Sequence, residues 1–334
     1  MKALIKEIMV FLMWYPLRIV INILPLRAVY AIGAAGGLLL YLLSGDKQKI
    51  MTKELTKIMP EKNADEIKKI IRGSFVNYCV SEMEVLLYPS LNTGFIKKNV
   101  TIEGREHLDA ALAKGKGVLL FQAHFGAFQM TMPAIGYSGY KMNQISASAS
   151  LWKDNAGVSR MQQKAYNIKA SYEYSLPVRH ISVKSSLRPV FSALEKNEIV
   201  GITVDGGGGN KTVLIDFLGR KANFQQGSAD LAIRTGAEIV PAFIITETGL
   251  KHRLVLHPPI KIRETSNREE QLQEVLQEFG SLLEGYVFWY PSHYLYTLFL
   301  RRSRAGKDAY PFFADYTISQ FNETKCKIKR TNYA

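Results

Sequence analysis

The stretch Val118-Leu-Leu-Phe-Gln-Ala-His124-Phe-Gly-Ala-Phe-Gln129 has the form of a buried strand that delivers a histidine at its carboxyl end, just before a helix opens. In open α/β sheets that edge is where ligands bind. An imidazole suits proton transfer near neutral pH, and Gly126 is expected to leave room for a substrate to approach its backbone. A histidine after a strand, taken alone, reads as structural more often than catalytic. The rest of the chain supplies the context.

From about residue 100, short β-rich runs alternate with helical periodicity, the texture of an α/β layer structure. Strands of one sheet are expected at 118–123, 143–149, 199–204, 239–246 and 253–257, with helices at 127–137, 155–167, 186–196 and 227–235. Gly236 stands where a helix-ending glycine belongs. Asn63 followed by Glu66 is a capping-box pattern, and Ile67, Ile70, Ile71, Phe75 and Tyr78 recur at helical spacing, so a helix is expected over 63–88. Leu272, Val275, Leu276, Phe279, Leu282 and Leu283 mark a last amphipathic helix. No internal repeat is visible, and 306–334 shows no pattern.

The first 45 residues are the most apolar, interrupted by Arg18 and Arg27 and broken by Pro16 and Pro25. With Trp14 and Tyr15 beside Arg18, they read as a membrane anchor, spanning or embedded; a cleaved signal peptide is the competing reading. The formal charge of +14 draws anions: lipid headgroups, an acidic protein or nucleic acid. No nucleic-acid recognition motif accompanies it. The two cysteines, Cys79 and Cys326, have no metal-ligand spacing, and neither a disulfide framework nor a zinc site is expected.

Over residues 1 to 304 the chain resembles a known family, the late acyltransferases of lipid A biosynthesis (lauroyl and myristoyl transferases), within the wider lysophospholipid acyltransferase group. The likeness rests on the apolar amino terminus, Asn77-Tyr-Cys-Val-Ser-Glu82-Met-Glu84, the block at 117–129, and Val204-Asp205 before a glycine-rich loop. It continues through Phe217-Leu-Gly-Arg220, Gly227-Ser-Ala-Asp-Leu-Ala232, Thr235-Gly-Ala-Glu-Ile-Val-Pro241 and Tyr290-Pro-Ser-His-Tyr-Leu-Tyr-Thr-Leu-Phe-Leu-Arg-Arg302.

The resemblance implies a glycerolipid acyltransferase-like α/β fold, a mixed central sheet flanked by helices, with an apolar amino-terminal membrane-anchoring segment. It implies an anchor at 1–45, an acyltransferase domain at 46–305 and a carboxyl-terminal tail at 306–334. The implied activity moves a fatty acyl chain from an acyl carrier protein or coenzyme A thioester to a lipid acceptor, lipid A precursor-like, at the cytoplasmic face of a bacterial inner membrane. His124 is the implied general base, with no metal or cofactor and no nucleic-acid partner.

In that family an acid stands five positions after the histidine, and here the position is Gln129. An amide can orient the ring but carries no charge to offset an imidazolium, and losing a carboxylate partner costs on the order of 10⁴ in rate in the serine-protease analogue. The strand that often carries an arginine in the family reads Ser146-Ala-Ser-Ala-Ser150. Two explanations remain open: Asp205, at the end of a later strand, supplies the charge, or the acceptor is an amine that asks less of the base. A catalytically weak or inactive homologue that binds lipid is a further alternative. Phe125 and Phe128 are expected near the mouth of an acyl groove. Gly207 and Gly208, in the run Gly206-Gly-Gly-Gly209-Asn-Lys211, are candidates for contact with a phosphate, and Arg220 for holding an anionic group.

Overall fold

The computed structural model describes residues 7, 8, 10–146, 159–183, 186–206, 211–247, 251–263, 265, 267–305 and 310–316. The strands are β1 (Val100–Glu103), β2 (Val118–Gln122), β3 (Met142–Ser146), β4 (Val178–Ser182), β5 (Ile199–Thr203), β6 (Thr212–Phe217), β7 (Arg220–Gln225), β8 (Glu238–Thr246) and β9 (His252–Leu256). Seven of them form the central sheet in the order β1-β9-β8-β2-β5-β3-β4, while β6 and β7 make a separate antiparallel hairpin. Only β8 and β9 pair antiparallel within the large sheet, which is therefore mixed.

Every residue of β2 is buried, because β8 and β5 flank it and helices cover both faces. Hence its unbroken apolar run. Side chains alternate between two cores: Leu119, Phe121 and Val200 on one face, Val118, Leu120 and Ile199 on the other.

The α-helices of six or more residues are α1 (Leu26–Leu42), α2 (Gly45–Ile58), α3 (Ala64–Leu86), α4 (Thr93–Asn99), α5 (Arg105–Ala113), α6 (Thr131–Gly136), α7 (Arg160–Glu173), α8 (Arg188–Glu195), α9 (Gly227–Thr235), α10 (Arg268–Trp289) and α11 (Leu295–Arg304). The α3 start is a complete capping box: Asn63 accepts from the Asp65 and Glu66 amides, and Glu66 accepts from the Asn63 amide at 3.0 Å. The expected helix at 127–137 begins instead as a 3-10 turn, Phe128–Met130, before α6. Residues 147–149 of one expected strand and 155–158 of one expected helix lie outside the described residues.

The apolar amino terminus packs on the body of the protein. Met13–Leu17 is a π-helical stretch containing Pro16, and α1 follows Pro25. A Cβ on Gly37 would stand 2.5 Å from the Val76 Cα, and one on Gly33 3.1 Å from the Val80 Cα, so these glycines let α1 lie directly against α3. Among the described residues no single helix is long and apolar enough to cross a membrane; α1 and α2 reach that length only together, bent by 90°. The outward side of this region exposes Phe11, Leu12, Ile19, Val20, Ile23, Leu39, Leu42 and Leu43.

Part of the expected tail is core. The Asn223 amide donates to the Phe312 carbonyl at 2.7 Å and the Ala314 amide to the Lys221 carbonyl at 2.9 Å, docking 310–316 along β7, with Phe312, Phe313 and Tyr316 buried.

Candidate active site

β2 and β5 run parallel with Gln122 opposite Thr203. Two residues further on, His124 and Asp205 leave the carboxyl edge of the sheet side by side. The His124 Nδ1 lies 2.9 Å from the Asp205 Oδ1, and the His124 backbone amide donates to both carboxylate oxygens, at 3.1 and 3.0 Å. The Tyr294 hydroxyl donates to Oδ2 at 2.9 Å, and the Arg301 guanidinium donates to the Asp205 carbonyl. Asp205 is fully buried. Burial pushes its carboxyl up, but the His124 interaction, the Arg301 charge and the Tyr294 hydroxyl outweigh that and hold it below the usual carboxylate range. A carboxylate facing Nδ1 fixes the ring proton there and leaves the lone pair on Nε2.

The His124 side chain is 36% exposed, opening to a cavity of about 1290 Å³, and Phe128 meets its ring edge-on at 5.0 Å. Thr297 Oγ1 donates to the His124 carbonyl at 2.8 Å, so α11 braces both members of the pair. The cavity wraps around the carboxyl end of the sheet. On one face its lining is apolar, with Ile145, Ile181, Val190, Ile202 and Leu231. Alternate strand positions add hydrogen-bonding side chains to the same lining: Gln122, Gln144, Ser146, His180, Ser182 and Thr203. Gln122 Nε2 donates to Gln144 Oε1 at 3.2 Å across Gly201, where a Cβ would come within 2.4 Å of the Gln144 amide.

Gln129 also lines the cavity, but no hydrogen bond joins its amide to the His124 ring; its carbonyl accepts from the Tyr88 hydroxyl at 2.8 Å. The position expected to steady the ring does not do so, because Asp205 already occupies Nδ1. Phe128 lines the cavity, whereas Phe125 is buried away from it, stacked on His293 at 5.5 Å and packed on Phe243 and Tyr286. Gly126 lines the cavity, yet its backbone demands glycine for a different reason: φ is +59°, and a Cβ would sit 2.0 Å from the Ile244 carbonyl oxygen.

Arg220 does not face the cavity. Its guanidinium pairs with the buried Glu54 at 2.8 Å and with Asp315, and covers the Phe313 ring at 3.8 Å. Arg302 and Tyr316 bind the same Glu54, each at 2.7 Å. The cluster ties α2, β7 and α11 to 310–316. Gly207 and Gly208 lie outside the described residues; Lys211 lines the cavity.

Sequence reasoning gave Tyr294 and His293 no role, and grouped Arg301 with Arg302 and Arg304 as a basic cluster suited to a membrane interface, whereas Arg301 is buried on the Asp205 carbonyl. His293 lines the cavity; its Nε2 accepts from the Thr246 amide at 3.3 Å, and burial pushes its titration down to about 4. A neutral ring so bonded carries its proton on Nδ1. Glu84 and His252 meet at 2.9 Å in a second buried group completed by the Tyr30 hydroxyl, fastening α1 and α3 to β9.

The class so defined is an α/β protein with a histidine–carboxylate pair at the carboxyl edge of its sheet, opening on a cavity lined by apolar and hydrogen-bonding side chains. The chain belongs to the bacterial lipid A biosynthesis acyltransferase family, whose model matches residues 2–302. It is similar to the phosphatidylinositol mannoside acyltransferase of Mycobacterium tuberculosis, 24% identical over 197 residues, covering 57% of this chain and 59% of that protein. The enzyme of the same description from Mycolicibacterium smegmatis is 23% identical over 202 residues, covering 57% and 60%. The similarity thus spans under two thirds of the length of these relatives. Among solved structures, the 1-acyl-sn-glycerophosphate (LPA) acyltransferase PlsC from Thermotoga maritima matches with a TM-score of 0.35 at 16% identity, covering 72% of this chain and 95% of that one.

Proposed function

We propose that this protein transfers a fatty acyl chain from a thioester, on acyl carrier protein or coenzyme A, to a hydroxyl of a lipid whose headgroup is rich in hydrogen-bonding groups. The contact that carries this reading is the 2.9 Å approach of His124 Nδ1 to Asp205 Oδ1. With that proton committed, Nε2 accepts the acceptor's hydroxyl proton as its oxygen attacks the thioester carbonyl. The C–S bond then breaks, and the departing thiolate takes the proton back from the imidazolium. Asp205 offsets the charge formed on the ring in between.

The mixed lining suits the two reactants. An acyl chain fits among Ile145, Ile181, Val190 and Leu231, while the amides and hydroxyls of Gln122, Gln144, Thr203 and Ser182 match a sugar-bearing headgroup, such as a lipid A precursor or the phosphatidylinositol mannoside of the relatives' description. The exposed apolar side chains of 11–43 suit residence at a membrane, and a thioester donor of cytosolic origin favours the cytoplasmic face of a bacterial inner membrane.

Comparing the membrane lipids of cells with and without the gene by mass tests the reading. A lipid lacking one acyl chain in the deletion, restored by the wild type and not by His124→Ala, is the expected result. Full restoration by the alanine variant would remove His124 from the chemistry.

A further inference from the structure

The seam between α1 and α3 is closed at one end and open at the other. Gly33 and Gly37 bring the helices together, but beyond Gly37 they part around a cavity of about 380 Å³, separate from the one that His124 faces. Its wall on α1 is apolar, made by Leu38, Tyr41 and Leu42. Its rim on α3 is cationic, made by Lys68, Lys69 and Arg72, with Asp65 as the acid among the lining residues. Helical spacing aligns these three cations with Val76, the residue against which Gly37 packs, so the charged rim continues the apolar seam.

All three cations are exposed, and among the described residues none has an ion pair or hydrogen bond, whereas the nearby Lys62 is paired with Glu66 at 3.5 Å. Beside them Leu39, Leu42 and Leu43 stand 58%, 74% and 76% exposed. Unpaired cations next to leucines open to solvent suit a ligand that is itself half apolar and half anionic. A soluble polyanion would satisfy the cations and leave the leucines in water.

We propose that this pocket is a binding site for an anionic phospholipid of the supporting bilayer, with the phosphate among Lys68, Lys69 and Arg72 and an acyl chain along Leu38, Tyr41 and Leu42. The proposal rests on the membrane-facing reading of the amino-terminal segment and is independent of the reaction assigned to His124. Because the later turns of α3 line the reaction cavity through Ser74, Asn77, Tyr78 and Ser81, a lipid held here would fix that cavity at a set height over the membrane surface.

The test is co-sedimentation of the full chain with vesicles of phosphatidylcholine alone or with 30 mol% phosphatidylglycerol, a composition chosen for the assay. Lys68→Gln/Lys69→Gln/Arg72→Gln is expected to lower partitioning onto the anionic vesicles by about a hundredfold and leave binding to the neutral ones unchanged. A control, Lys97→Gln/Lys98→Gln/Lys251→Gln, removes the same charge from exposed positions elsewhere and is expected to lower it by less than about tenfold. Equal losses in the two triple variants would overturn the site in favour of general attraction, as would wild-type binding by the first. Displacement from anionic vesicles by inorganic phosphate at the lipid's concentration would reassign the pocket to a free anion. Acyl transfer to detergent-dispersed acceptor, measured alongside, is expected to be unchanged in both variants; its failure in the wild type would bear on His124 and not on this pocket.

Discussion

Tyr294 and Asp205 are joined by a 2.9 Å hydrogen bond in which the buried phenol donates to the carboxylate oxygen that His124 Nδ1 leaves free. The carboxylate is thus gripped from both sides, and the contact predicts a change in pH dependence rather than in fold. In Tyr294→Phe, Asp205 loses a stabilising donor and its carboxyl titrates higher. The acid limb of the kcat/KM profile is expected to move to higher pH, with about a tenfold drop in rate near neutrality. An unmoved limb would reduce Tyr294 to packing.

The distribution of roles between Asp205 and Gln129 predicts opposite sensitivities. Asp205→Asn is expected to lower kcat by about 10³–10⁴. Gln129→Ala and Gln129→Glu are expected to stay within about threefold of the wild type, since neither alters the partner already on the ring. A large gain from Gln129→Glu in acyl-transfer assays would show that Asp205 does not serve as the acid.

Stability should fall on mild acidification, partly because of His293. Its titration is depressed to about 4, so between about 6.5 and 4 the unfolded chain binds a proton that the folded chain refuses. Its contribution is fully present above the unfolded value and is lost as pH falls through that window, by about 2–3 kcal/mol. His180 and His257, also lowered by burial, act in the same direction. Urea unfolding from pH 7.5 to 4.5 should show the slope, and His293→Gln should flatten it.

Arg220 is expected to matter for stability and not for donor affinity. Arg220→Ala leaves Glu54 buried with one guanidinium partner removed, at a cost of about 3–5 kcal/mol. Thermal unfolding measures that loss, and an unchanged KM for the thioester separates it from a role in binding.

Gly126→Ala is expected to cost at least about 2 kcal/mol, because the backbone is left-handed there and the added methyl meets the Ile244 carbonyl. Equilibrium unfolding reads it directly, and a neutral result would mean that β8 yields at this point.

Much of the sheet is legible because burial on both faces writes itself as uninterrupted apolar residues, as in β2 and β8. The edge strand β4, Val178-Arg-His-Ile-Ser182, is half exposed and polar, so it carries no such run. The β6–β7 hairpin turns through Leu218 and Gly219, both at positive φ; leucine is a poor signal for that turn, tolerated here because its side chain is buried. The docking of 310–316 was hidden because its partners, β7 and Glu54, are distant in sequence. The setting of Arg220 is illegible for the same reason: it is fixed by Glu54 and Asp315, which no local pattern reveals. That His124 and Asp205 share an edge follows from where their strands end, whereas Tyr294 as a donor depends on how α11 crosses that edge.

The pairing of His124 with Asp205 joins residues 81 apart. The histidine stretch by itself, excised or unfolded, has nothing to steady its imidazole. Slipping one strand past its neighbour by a single residue would turn one of the two side chains through the sheet and part them. On the proposed mechanism, reactivity is in that sense a readout of alignment, acquired at the moment two distant threads of the chain zip in step.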